Sequence, residues 1–163
     1  MTRFLVTFAA VAVAFFAVYQ WSEATARFRP VNEVNAAACA LVLRLCGIDA
    51  DRTGTLVHVG AGGMEIISEC SAIYVLILFA AAVIAFPTAW GARLRGLALG
   101  LPILLAVNVL RLVTLGAVVR YKPAWLPLFH EYLWQVLFVL LVCGLYLVWM
   151  ERMIPRARVD SSA

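Results

Sequence analysis

Apolar residues in this chain gather in long blocks. Each block is close to the twenty or so residues that an α-helix needs to cross a hydrocarbon core of about 30 Å at 1.5 Å per residue. Four such blocks lie near residues 4–21, 71–87, 97–119 and 131–150. A backbone in lipid must satisfy its own hydrogen bonds, which leaves helices or closed barrels, and continuous apolar blocks of this length predict helices. Of the 163 residues, 65% are hydrophobic and 13% charged; a soluble domain is nearer one half and one quarter. The expectation is an all-α integral membrane protein forming a single membrane domain over residues 1–163, with about four transmembrane helices and no room for a separate soluble module.

The net charge of +4 does not point to nucleic acid. The basic residues are scattered between apolar blocks, form no run of five, and mostly sit at block ends where they set topology. The four cysteines, Cys39, Cys46, Cys70 and Cys143, make no C-x-x-C pair and have no histidine at zinc spacing, so neither a metal nor another cofactor is expected.

The first block has Arg3 before it and Glu23, Arg27 and Arg29 after it. Ala24-Thr25-Ala26 resembles a signal-peptide cleavage stretch, but the block is longer than a signal core and unbroken, which favours an uncleaved helix. Residues 22–69 then form the extracytoplasmic segment. Within it, residues 32–48 read as an interfacial helix: Ala36, Cys39, Ala40, Leu43 and Gly47 recur at three- and four-residue steps, with Arg44 turned to water. Residues 55–59 and 64–67 are β-rich, and Gly60-Ala61-Gly62-Gly63 between them is turn chemistry, which predicts a small β-hairpin at the interface. Residues 90–95 read as a short polar loop and residues 120–130 as a second loop broken by Pro123 and Pro127.

Four crossings put both termini on one side. If that side is cytoplasmic, Arg3, Arg93, Arg95, Arg152, Arg156 and Arg158 fall there in about 25 residues, against six basic residues in roughly 60 on the other side, diluted by acids. This density favours both termini inside. Three chemically able residues then share the outer side: Cys70 at the start of the second crossing, Arg111 within the third and His130 at the start of the fourth.

Arg111 is the hardest of the three to explain away. A charged arginine at the centre of a membrane helix costs about 2.5–3.5 kcal/mol on insertion scales, so such residues usually face a polar cavity or partner. Asn108, one turn earlier, can hydrogen-bond it or a shared ligand. A free cysteine is mostly a small core residue, the reading given to Cys39, Cys46 and Cys143. Cys70 differs by standing at an interface, where a nearby cation would raise its thiolate fraction. His130 titrates in the range that suits an acid–base partner for a thiol. His58, in the hairpin, reads as structural, and Glu131 is expected to point away from His130. Ser71 is a possible hydroxyl nucleophile with no better base than Cys70 has.

Glu69-Cys70-Ser71-Ala72, Asn108-Val109-Leu110-Arg111 and Phe129-His130-Glu131 resemble the three motifs of the exosortase/archaeosortase family, and residues 55–68 resemble its approach to the cysteine. The resemblance covers roughly residues 50–150, and its specificity lies in the order Cys, Asn-x-x-Arg, His on separate crossings. Many members have glycine where this chain has Ala72, and many are longer, so the chain resembles the compact ones. The resemblance implies a cysteine protease or transpeptidase of the prokaryotic cytoplasmic (inner) membrane. Its substrates would be exported proteins bearing a C-terminal sorting signal: a short motif, a transmembrane helix and a basic tail. Cys70 would be the nucleophile, Arg111 the stabiliser of the oxyanion or thiolate, and His130 the acid–base residue, with an amine or water accepting the acyl group. A substrate helix is expected to dock in the bilayer near Gly96, Ala98 and Gly100. From the residues alone, a non-enzymatic membrane scaffold or a small transporter subunit using Arg111 and Asn108 remains the alternative.

Overall fold

A computed structural model describes residues 2–24 and 27–153. Thr25 and Ala26 of the cleavage-like stretch, and Arg156 and Arg158 of the tail, lie outside the described residues. The chain is mostly helical: α1 (Thr2–Ala24), α2 (Arg29–Leu45), α3 (Ile73–Ala85), α4 (Trp90–Tyr121) and α5 (Trp134–Met153). Between α2 and α3 lies a three-stranded sheet of β1 (Ala50–Thr53), β2 (Leu56–Val59) and β3 (Gly62–Glu65).

Three helical stretches are long and apolar enough to cross a membrane: α1, α4, and the run that contains α5. The block read as the second crossing forms α3, whose 13 residues reach only about 20 Å. Both of its ends are set locally. The first residues of the block are spent on a 3₁₀ turn (Ser68–Ser71), and Phe86, held extended before Pro87, ends the helix. The guanidinium of Arg93 donates to the Phe86 carbonyl through Nε (3.2 Å) and Nη2 (2.9 Å), covering the exposed helix end.

Two expected loops are corrected. Residues 90–95 are the first turns of α4, which runs 32 residues through Pro102. Residues 120–130 are largely helical as well: α4 ends at Tyr121, a 3₁₀ turn (Pro123–Trp125) follows, and a π-helical segment (Leu128–Leu133) leads into α5. Proline at the start of a short turn costs no hydrogen bond, so Pro123 redirects the chain without unravelling it.

The expected hairpin is one half of a meander in the order β1-β2-β3, both pairs antiparallel. Each turn has two residues and opens on a glycine at positive φ, Gly54 at 62° and Gly60 at 58°, as primed hairpin turns require. The turn is therefore Gly60-Ala61, and Gly62 and Gly63 belong to β3. α2 buries Asn32, Asn35, Ala36, Cys39, Ala40 and Leu43 along one stripe and leaves Arg44 exposed. That stripe packs with Val57, Val59, Ile66, Leu112 and Val113 into a core beneath the sheet.

The bundle has two chemically distinct ends. At one, the Trp149 indole donates to the Ala92 carbonyl (2.9 Å) and stacks edge-on with Phe86, beside Arg93, Arg95 and Arg152. At the other, Tyr19 packs on Tyr74 with ring centroids 4.3 Å apart, and the sheet sits against the last turns of α4. The small residues offered as a docking stripe are partly used inside the fold. A methyl at Gly96 would overlap the Trp149 indole and one at Gly100 the Phe79 ring, so these two hold α4 against α5 and α3, while Ala98 is exposed.

Candidate active site

The sheet end holds a cavity of about 520 Å³ between α3 and α5, with α4 behind it. Cys70 from the 3₁₀ turn, Arg111 from α4 and His130 from the π-helical segment all line it. Three residues separated by 41 and 19 positions thus reach one space.

Each is placed by its local structure. The 3₁₀ turn is pinned to α2 by buried polar bonds. Ser71 Oγ donates to Asn32 Oδ1 at 2.6 Å, and Asn32 Nδ2 donates to Ser68 Oγ at 3.2 Å. The two serines face inward, and Cys70, 8% exposed, is turned to the cavity wall. Ser71 is fully buried with its hydroxyl engaged, so it has no path to a substrate. Ala72 next adopts a left-handed conformation (φ 56°) that swings the chain into α3.

Arg111 lies ten residues before the Tyr121 end of α4, on a turn tied to α5. Thr114 Oγ1 donates to the Arg111 carbonyl (2.8 Å) and accepts from the Trp134 indole (2.9 Å). The Arg111 guanidinium carbon stands 5.8 Å from the centre of the Phe138 ring and interacts electrostatically with Cys70. Its Nε is buried with no hydrogen-bond partner. A buried charged donor without an acceptor is costly, and the natural occupant of such a place is an anion.

His130 is exposed and borders the cavity mouth. Glu131 borders it too, contrary to the expectation that it points elsewhere. The reason is the π-helical geometry of Leu128–Leu133, whose wider turn presents neighbouring side chains differently from an α-helix. Glu69 also lines the cavity and was not foreseen; no sequence pattern marks it. Asn108 is not among the lining residues. Its Nδ2 donates to Asn35 Oδ1 at 3.2 Å, joining α4 to α2, while its Oδ1 is buried without a partner. His58 is exposed on the sheet, 3.4 Å from Thr53 Oγ1 and outside the cavity.

The other cysteines have different surroundings. Cys39 is fully buried, and burial pushes its thiol up to about 12. Cys46 is exposed at the end of α2, and Cys143 lines the far, apolar part of the cavity. Among the described residues no group of three metal-ligating side chains occurs.

A helical membrane protein with a cysteine, an arginine and a histidine on one cavity belongs with the membrane-embedded processing enzymes in its architecture. The sequence profile of the transmembrane exosortases (Exosortase_EpsH) matches residues 2–147, and the chain belongs to that family of multi-pass sorting enzymes. No curated protein and no solved structure gives a significant match to the chain.

Proposed function

We propose that this chain is a cysteine protease or transpeptidase that processes exported proteins ending in a sorting motif, a transmembrane helix and a basic tail. The observation that carries this reading is the buried, unpartnered Nε of Arg111 on the cavity that Cys70 and His130 share. The Cys70 thiolate attacks the carbonyl carbon of the scissile peptide, forming a C–S bond. Arg111 stabilises the negative charge that moves onto the carbonyl oxygen. His130 gives a proton to the departing nitrogen as the C–N bond breaks. An amine, or water, then takes the acyl group from sulfur, and His130 accepts its proton. Asn108 supports the site from a distance by fastening α4 to α2.

The same reading places the sheet end outside the cytoplasmic membrane and the Arg93–Arg95 end inside, in line with the density of basic residues. Short α3 then serves as a fourth crossing whose inner end is completed by Arg93. Co-expression with a reporter ending in a helix and a basic tail tests the assignment. Wild-type chain is expected to shorten the reporter, and Cys70→Ala, Arg111→Ala and His130→Ala to leave it intact at equal expression. Shortening by all three variants would end the assignment; a silent Cys70→Ala with a defective Arg111→Ala would favour a scaffold.

A further inference from the structure

Cys70 and His130 also border a second cavity, of about 340 Å³. One wall is formed by residues 63–66 of the third strand and its exit, and the other by residues 126, 127, 130 and 131. Leu112 and Leu115 of α4 form the floor. No residue of β2 lines it, so it runs along the outer edge of β3, the last strand of the sheet.

The ladder determines which backbone groups face that edge. Ile66 N–H donates to the Thr55 carbonyl at 2.9 Å, and the register pairs Met64 with Val57 and Gly62 with Val59. Bonded pairs alternate in an antiparallel ladder. Gly62, Met64 and Ile66 therefore exchange bonds with β2, and the N–H and C=O groups of Gly63 and Glu65 point outward. An open strand edge is a template for an extended peptide. This one ends five residues before Cys70.

Building on the cysteine-protease reading above, we propose that the substrate segment just before the scissile bond docks as an added strand on β3, bonded to Gly63 and Glu65. The helix that follows the bond then lies in the α3–α5 groove. Two observations identify the occupant. The two spaces share Cys70, His130 and Glu131, so a chain running from one to the other passes the sulfur. They also differ in chemistry. The groove offers apolar side chains such as Leu78, Phe138, Val139 and Val142, along roughly 18 Å of helix, which suits a helix. The second cavity offers backbone donors and acceptors, which suit an extended strand. The direction follows from the reaction, because the half retained on sulfur is the half that precedes the bond.

Site-specific photo-crosslinking tests this in the Cys70→Ala chain, where binding needs no turnover. The probes are reporters carrying C-termini from the same genome that end in a transmembrane helix and a basic cluster. p-Benzoylphenylalanine is placed at position 65 or position 139. The position-65 probe is expected to label reporter residues preceding the helix, and the position-139 probe the helix itself. Gly63→Pro removes one outward N–H, whereas Gly63→Ala keeps it and meets only the Val57 carbonyl at 3.4 Å and the Leu56 side chain at 3.8 Å before reaching His58. Labelling from position 65 should be at least fivefold higher with Ala than with Pro, with labelling from position 139 showing that both variants fold. Labelling of the helix, or of no reporter, from position 65 would overturn the proposal, as would equal labelling with Pro and Ala. If wild-type chain leaves a reporter uncut while position 65 labels its pre-helix segment, the docking stands and the catalytic reading falls.

Discussion

Ala72 is the one non-glycine residue at positive φ among the described residues, and it directly follows the turn that carries Cys70. An L-residue in the left-handed region costs roughly 1–2 kcal/mol that glycine avoids, partly offset by glycine's greater entropy loss on folding. Ala72→Gly should therefore raise the thermal midpoint of the detergent-solubilised protein, by the equivalent of up to about 1 kcal/mol, and leave reporter processing in place. Arg111 makes a different demand. Removing an oxyanion donor typically costs 10²–10³ in rate, and Arg111→Ala is expected to lower processing by about that factor at unchanged expression. Arg111→Lys should recover only part of it, since a point charge lacks the planar fork. The thiols give a third expected outcome. With its thiol pushed up to about 12 by burial, Cys39 stays protonated below that pH, so mass spectrometry after maleimide treatment at pH 7–9 should find Cys39 unmodified and exposed Cys46 modified. At this scale Cys70, Arg111 and His130 were legible in the sequence because charge, thiol and imidazole are rare in apolar blocks. Glu131 was not, because its direction depends on a π-helical turn that no residue type announces. The partner of Asn108 was hidden by 73 positions of chain.

Elements were legible where periodicity and turn chemistry spoke. The buried stripe of α2 follows from its three- and four-residue spacing, and β2 and β3 from their branched residues and the glycines between them. β1 was missed because Ala50-Asp51-Arg52-Thr53 has neither alternation nor β-branched enrichment; it becomes a strand only by pairing with β2. The start of α4 was missed because Arg93 and Arg95 made it look like a loop, when Arg93 is recruited to the Phe86 carbonyl. Contacts between elements carry their own consequence. Gly100 accepts the Phe79 ring and Gly96 the Trp149 indole without space for a methyl, and overpacking of this kind typically costs 1–3 kcal/mol. Gly100→Ala should lower the thermal midpoint accordingly, whereas Gly91→Ala, with nothing within 4 Å of its added methyl, should not. The Asn32 clamp on Ser68 and Ser71 is a second element-level device. Asn32→Ala leaves two buried hydroxyls short of partners, which costs about 1–3 kcal/mol per group, and reduced processing by this variant should recover on cooling.

For the whole molecule, the division into two ends makes a topological prediction. Cysteines introduced at Asp51 in the sheet and at Arg95 in α4, in a chain whose own exposed Cys46 and Cys143 are serine, should differ in intact cells. A membrane-impermeant maleimide is expected to label the first and not the second, and the reverse pattern would invert the orientation argued from basic residues. The 32 residues of α4 make a rod about 48 Å long in a hydrocarbon layer about 30 Å thick. Tilts of up to 40° do not absorb that excess, so the rod stands proud of the oily layer at one face or both. If the overhang is shared, Arg111, about 15 Å from the tip, lies only some 6 Å under the surface, within reach of its own side chain. A bond broken at that waterline yields fragments that prefer different solvents, one drifting off in water and the other staying dissolved in lipid. Rejoining them would require a meeting across a phase boundary, which makes the cut hard to undo.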